Sequence, residues 1–213
     1  MIRIEYYGHS CFLLTNGGMR ILTDPFAGIG YELPPVSADL VTVSHGHFDH
    51  NHLEGVSGAK KVLTQAGEYA ESDVKITGTA CWHDEARGAK RGAVTAFTFD
   101  FGDVTVCHLG DLGERFSPER AAIFGHPDIL LIPVGGNYTI DAREAVRYIG
   151  EIRPKVVIPM HYKTKECALD IAPLSEFADV FGKDRLVSVS AFDSKDAEAF
   201  TGKAVIPEVK RHG

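Results

Sequence analysis

Apolar and polar residues alternate from Ile2 to Tyr7 and the alternation stops at Gly8, which predicts a half-buried first strand. Cys11-Phe12-Leu13-Leu14 and Arg20-Ile21-Leu22-Thr23 flank Asn16-Gly17-Gly18, the turn chemistry of a β-hairpin, and Asp24-Pro25 closes it. The Gly- and Pro-rich stretch from Ala27 to Val36 reads as a surface loop that could overhang a site at the hairpin's end. Leu40-Val41-Thr42-Val43 is short, apolar and β-branched, hence a buried strand. Lys61-Val62-Leu63-Thr64 and Val74-Lys75-Ile76-Thr77 read as further strands. Ala93 to Phe101 alternates, and Gly102-Asp103 turns it into Val104-Thr105-Val106-Cys107. Ser117-Pro118-Glu119 opens a short helix with Ser at the cap and Pro at the first helical position. The continuous apolar runs from Ile129 to Val134 and from Val156 to Pro159 predict strands covered on both faces. Between them, Asp141 and Glu144 resemble a capping box whose helix runs to about Ile152 and stops before Pro154. A helix near Pro173 to Phe181 and a strand from Leu186 to Val189 follow, and the tail from Thr201 reads as a loosely held end.

Hairpins come first, and strands alternating with helices come later. That order predicts two packed mixed sheets with helices outside. Neither a linker nor a low-complexity segment divides the 213 residues, so one domain over 1–213 is expected. The hydrophobic share of 44% and charged share of 24% are those of an ordinary globular protein. A net charge of −7 argues against a general nucleic-acid binder. Cys11, Cys81, Cys107 and Cys167 form no C-x-x-C pair, so they read as small core residues rather than as a thiolate metal knuckle. With no apolar leader and no apolar run of about 18 residues, no membrane span is expected and a cytoplasmic chain with reduced thiols is. Nothing in the composition bears on oligomeric state.

The chemistry concentrates in Ser44-His45-Gly46-His47-Phe48-Asp49-His50, directly after the strand beginning at Leu40. Four potential metal ligands stand within six residues, and leaving such groups buried without partners would cost several kcal/mol each. His45 and His47, two apart, can point to one side and hold one ion; Asp49 and His50 follow a bend and can serve a second. Four ligands cannot fill two coordination shells. Further candidates end other strands: His83 in Cys81-Trp82-His83-Asp84, Asp111 in His108-Leu109-Gly110-Asp111, and His161 in Pro159-Met160-His161-Tyr162. His52, His126 and His212 stand in no such context and read as solvated.

The H-x-H-x-D-H segment after a strand resembles the signature of the metallo-β-lactamase fold superfamily. Gly8-His9-Ser10-Cys11-Phe12, Leu22-Thr23-Asp24-Pro25, His108-Leu109-Gly110-Asp111 and Pro159-Met160-His161-Tyr162 stand in the order of its compact metal-dependent hydrolase branch, which includes L-ascorbate-6-phosphate lactonase-like proteins. The resemblance implies a four-layered αββα sandwich with a two-metal cleft at one edge of the sheets. It implies that His45, His47 and His83 hold one ion, that Asp49, His50 and His161 hold the other, and that Asp111 bridges them. His108 competes with His83 for the third histidine of the first ion, and otherwise stands beside the site as an acid-base helper. His9 and Asp24 are candidates to orient ligands, although Asp24 also suits a simple turn before Pro25.

The implied cofactors are two divalent ions, zinc first, with manganese or iron also suited to N/O donors. Two such ions about 3.5–4 Å apart supply hydroxide near neutral pH, and Asp49 or His108 would pass a proton to the leaving group. The expected activity is hydrolysis of a small ester, lactone or phosphodiester. Arg87, Lys90 and Arg91 read as a mobile basic loop, and with Lys163 and Lys165 they would favour an anionic substrate or simply be surface charge. Tyr138 should reach the rim, to donate to a developing oxyanion or to pack over the cleft. A nuclease of the same fold is disfavoured by the lack of a long basic arm, and a di-iron oxygen reductase by His47 and the missing flavin domain. A non-catalytic metal-bearing scaffold remains the alternative of a different class.

Overall fold

In the computed structural model, residues 1–211 are described; His212 lies outside the described residues. The N-terminal half contributes β1 (Ile2–Gly8), β2 (Cys11–Asn16), β3 (Met19–Thr23), β4 (Val36–Ser37), β5 (Leu40–Thr42), β6 (Val56–Ser57), β7 (Lys61–Leu63), β8 (Gly67–Glu71) and β9 (Val74–Trp82). Then come β10 (Ala93–Asp100), β11 (Thr105–His108), α1 (Pro118–Ala122), β12 (Ile129–Pro133), α2 (Ala142–Ile152), β13 (Val156–Met160), α3 (Leu174–Phe181), β14 (Leu186–Val189), β15 (Phe192–Asp193) and β16 (Lys203–Pro207).

Two large sheets result. One runs β15-β1-β2-β3-β5-β7 and the other β14-β16-β13-β12-β11-β10-β9-β8, with a small β4-β6 pair besides. In the six-stranded sheet, Asn16 pairs with Met19 across Gly17-Gly18, and Gly17 takes φ +55°, so the turn uses the freedom that glycine provides. β2 is buried at four successive positions because both of its faces are covered. Phe12 and Leu14 join Ile21 and Leu40 in the core between the sheets, while Cys11 and Leu13 join Leu22 and Val41 on the far side.

The far side is a departure from the expected surface loop. Phe26, Ile29, Leu33 and Val36 turn inward and form the outer cover of this sheet, so the segment is a second small core. All three α-helices among the described residues fall between strands of the eight-stranded sheet. In α2, Asp141 accepts from the N–H groups of Arg143 and Glu144 at 2.9 Å, as expected. The Glu144 carboxylate instead accepts from the Phe116 N–H and pairs with Arg147, so the capping box is only half made. Arg153 closes the helix at φ +54°, immediately before Pro154.

Besides the two-residue β4, β6 and β15, two strands escaped the sequence. β8, Gly67–Glu71, is a mostly exposed edge strand with no apolar run. β16 overturns the expected loose tail: it lies inside the large sheet, parallel to both β13 and β14, with Ala204 and Val205 buried. The four cysteines are free and buried, as expected of core residues. Among the described residues no helix is long and apolar enough to cross a membrane.

Candidate metal centre

Every candidate donor lies just past the C-terminal end of a strand: His9 after β1, Asp24 after β3, His45 to His50 after β5, His83 after β9, Asp111 after β11 and His161 after β13. The strands therefore aim their ends at one edge of the sandwich. There the sheets are tied by backbone hydrogen bonds, Thr95 N–H to Ser44 O at 2.8 Å and His161 N–H to His9 O at 2.9 Å. His9, Asp24 and His161 all adopt left-handed backbone, at φ 54°, 40° and 54°. Such conformations are costly for residues with a Cβ and persist where the surroundings fix them. Gly110, at φ +53°, brings the chain so close to Ser44 that an added Cβ would lie 2.6 Å from the serine Cβ. Only glycine allows Asp111 to follow at this depth.

The donors converge in three overlapping groups, each with its ligand atoms within 4.8 Å of one another: His45, His47 and His83; His9, Asp49, His50 and His161; and His45, His50 and Asp111. Asp111 joins them. Its Oδ2 lies 3.2 Å from His161 Nε2, 3.5 Å from His83 Nε2 and 3.9 Å from His45 Nε2, and its Oδ1 lies 3.2 Å from His50 Nε2. His9 Nε2 stands 3.2 Å from Asp49 Oδ2, so it is placed to orient that carboxylate, as expected, and its ring also falls within the second group.

One carboxylate orients histidines of both groups. Asp24 accepts from Ser44 N–H at 2.7 Å, from Ser44 Oγ–H at 2.6 Å and from His50 Nδ1–H at 2.8 Å. Because the Ser44 hydroxyl donates to Asp24, it accepts from His45 Nδ1–H at 3.0 Å. That fixes the His45 tautomer and leaves a bare Nε2, 3.0 Å from His47 Nδ1. Asp24 is thus more than a turn residue before Pro25.

Burial lowers the pKa of His45 to about 3 and of His9 to about 4, and it lowers His83 as well. These imidazoles are neutral near pH 7, the state that ligates metal. Burial opposes charge on His50, but the Asp111 and Asp24 carboxylates outweigh it and hold that pKa well above normal. Burial would likewise raise Asp111, yet His161 and His50 hold it well below the usual carboxylate range. The cluster therefore calls for positive charge among neutral imidazoles. His50 Nε2, His83 Nδ1, Asp111 Oδ1 and both ring nitrogens of His161 are buried with no hydrogen-bond partner. Such atoms cost about 1–3 kcal/mol each if left so. Convergent, unpaired nitrogen and carboxylate donors fit divalent cations of the borderline-to-hard class.

His108 does not join the cluster. Its Nε2–H donates to Ser10 O at 2.8 Å and its Nδ1 accepts from Gly110 N–H at 3.1 Å. With both nitrogens committed to backbone it has none free for an ion or a leaving group, so the geometry favours His83 as the third histidine and removes the expected acid-base role of His108. Tyr138 does reach the rim. With His47, Phe48, Asp49, His83, Arg91, Asp111 and Leu169 it lines a cleft of about 410 Å³ above the donors.

The basic loop is ordered rather than mobile. The buried Asp84 accepts from the backbone N–H groups of Ala86, Gly88, Lys90 and Arg91 at 2.8–3.0 Å. Lys90 pairs with Glu85, and only Arg91 of this loop lines the cleft. Lys163 is likewise withdrawn, donating to the Leu169 carbonyl. Asp84 was missed in the sequence; its signal was an Asp placed ahead of a short Gly-containing loop.

Residues 3–161 match the model of the β-lactamase superfamily domain. The chain belongs to the metallo-β-lactamase superfamily. Among its relatives is a UPF0173 metal-dependent hydrolase of Carboxydothermus hydrogenoformans, 29% identical over 84% of this chain and 91% of the relative. Another of the same description, from Staphylothermus marinus, is 35% identical over 77% of this chain and 85% of its own length. A crystal structure from Thermotoga maritima, described as a candidate zinc-dependent hydrolase of this superfamily, is 36% identical and superposes with a TM-score of 0.80 over 99% of this chain and 100% of its own. The superfamily sandwich is thus present, here with a loop-built outer layer on the six-stranded sheet.

Proposed function

We propose that this member of a family of metal-dependent hydrolases is a binuclear enzyme acting on a small ester, lactone or phosphodiester. The observation that carries the reading is Asp111, a single buried carboxylate within 4 Å of histidines assigned to both sites: Oδ2 faces His83, His45 and His161, and Oδ1 faces His50. His45, His47 and His83 would hold one cation, Asp49, His50 and His161 the other, with His9 at hand beside Asp49. When bound, the cations supply hydroxide near neutral pH and polarise the scissile carbonyl or phosphoryl group.

The chain's own residues do the rest. Asp24 locks the His45 and His50 rings. Asp49 opens onto the cleft and, paired with His9, is the group positioned to carry a proton to the leaving group. Its carboxyl is held below the usual range: burial would raise it, but the His9 hydrogen bond and His50 outweigh that. The cleft volume suits a small molecule rather than a polymer, and the net charge of −7 supports the same choice over a nucleic acid. Zinc is the leading cation, since imidazole and carboxylate donors suit it, with manganese or iron next. Four buried free thiols support a reducing, cytoplasmic setting.

The test is turnover by metal-replete protein of bis-p-nitrophenyl phosphate against a panel of lactones, with Asp111→Ala as control. Hydrolysis of one class by the native chain and its loss in the variant are expected. Failure on both classes with zinc, manganese and iron, or an active Asp111→Ala protein, overturns the proposal.

A further inference from the structure

The cleft carries three kinds of group: the donor cluster at its floor, an apolar wall of Phe48 and Leu169, and Arg91 with Tyr138 at the rim. Arg91 is the one permanently cationic side chain in the lining. Its neighbour Lys90 is tied to Glu85, whereas the Arg91 guanidinium lies over the Tyr138 ring, 5.4 Å from the centroid, with no ion-pair partner among the described residues. Three features keep it in place. The buried Asp84 accepts from the Arg91 backbone N–H at 2.8 Å, and the amides of Ala86, Gly88 and Lys90 are held by the same carboxylate. Gly92 N–H donates to Gly88 O at 2.9 Å, and His83 N–H donates to Gly92 O at 3.1 Å. The loop that presents Arg91 is therefore hydrogen-bonded to the residue that presents His83.

We propose that Arg91, stacked on Tyr138, is the anion-recognising arm of the cleft. The substrate then carries a second group besides its scissile bond: a carboxylate or phosphate-type oxyanion held by the guanidinium fork, joined by an apolar portion lying against Phe48 and Leu169. A planar guanidinium presents parallel donors that match either oxyanion, and stacking limits the rotamer freedom lost on binding. The remaining charged lining groups, Asp49 and Asp111, are acidic and committed to the donor cluster. An anionic substituent thus has one place to go, and Arg91 orients the reacting end toward Asp111. This inference rests on the hydrolase reading for the direction of the scissile bond, but the ion-recognition step stands apart from turnover.

The test is equilibrium calorimetry on metal-loaded protein with three probes: benzylphosphonate, phenylacetate and the neutral dimethyl ester of benzylphosphonate. Metal content is measured on the same samples. The native protein should bind at least one anion better than the ester, the preferred anion identifying the oxyanion class. Arg91→Ala should weaken that anion about 10- to 100-fold, the scale of charge-assisted hydrogen bonds, and leave the ester and the metal content unchanged. Arg91→Lys should recover part of the loss, and Tyr138→Ala should weaken the anion less than Arg91→Ala. Equal anion affinity in native and Arg91→Ala proteins, or no anion binding by the native protein at millimolar concentration, overturns the proposal. Too few bound ions, with the Arg91 dependence intact, would overturn the binuclear reading and leave this one standing.

Discussion

Replacing Asp24 by asparagine changes one buried oxygen to an amide nitrogen and little in volume. The carboxylate accepts three hydrogen bonds, from Ser44 N–H, Ser44 Oγ–H and His50 Nδ1–H, at 2.6–2.8 Å. Ser44 N–H donates to one oxygen, and Ser44 Oγ–H and His50 Nδ1–H donate to the other, so an asparagine loses one or two of the three bonds according to which oxygen its NH2 group replaces, and loses the charge for all of them. Hydrogen bonds to a charged acceptor are worth about 1.5–3 kcal/mol each, which puts the loss for metal-free Asp24→Asn at about 2–5 kcal/mol. The same change weakens the hold on the His50 ring and on the Ser44 relay to His45. Loss of such orienting partners weakens metal binding about 10- to 100-fold. The assays are urea denaturation of the metal-free proteins and chelator competition on the loaded ones. Burial would raise the Asp24 pKa, but His50 outweighs it and lowers it. Its contribution is therefore present above the unfolded carboxyl value and lost as pH falls through the folded one, so the variant should also lose part of the acid limb of the native stability profile. Native-like urea midpoint and metal affinity in Asp24→Asn would refute the reasoning.

Gly110→Ala should lower stability by at least about 2 kcal/mol and impair metal uptake, because φ is +53° and the new Cβ would meet Ser44; thermal melting and metal analysis read both. His108→Ala should cost about 2–4 kcal/mol by freeing Ser10 O and Gly110 N–H, yet keep native metal stoichiometry, which mass spectrometry of the folded variant under non-denaturing conditions would check. Metal-free protein should lose stability as pH falls from about 6.5 toward 4: His9 and His45 are depressed in the fold, so the unfolded chain takes up protons first. His50, raised in the fold, contributes little change in that window because it is protonated in both states below it. The urea midpoint as a function of pH measures this, and a flat profile would contradict it.

The runs from Ile129 and from Val156 were legible because strands covered on both faces are apolar throughout. The Leu40 strand was legible for the same reason, and the dense His and Asp beyond it marked the site. β8 was not, since Gly67–Glu71 has one sheet neighbour and exposed side chains, leaving little apolar pattern to read. β16 hid because five residues ending in Pro207 carry a weak local signal, and its place is fixed by pairing with β13 and β14, distant in sequence. The Gly- and Pro-rich stretch after Asp24 looked like a loop and is one: Phe26, Ile29, Leu33 and Val36 stand at helical spacings of 3, 4 and 3, but Gly28, Gly30, Pro34 and Pro35 break any helix, and the four side chains cover a sheet from irregular backbone. Within the site, His83 and His108 looked alike in sequence, each ending a strand. What separates them is the backbone of Ser10 and Gly110, which occupies the His108 ring and which no local pattern reveals. His9 reaches Asp49 because its left-handed turn after β1 swings the ring toward it, a reach that the sequence does not show.

The central claim is that one carboxylate joins two sets of histidines around a pair of cations. Metal stoichiometry of the purified, reconstituted chain tests it most directly. Two ions per native chain are expected, with loss of the pair in Asp111→Ala. A native chain that saturates at one ion or none, or an Asp111→Ala chain that still carries two, would contradict it.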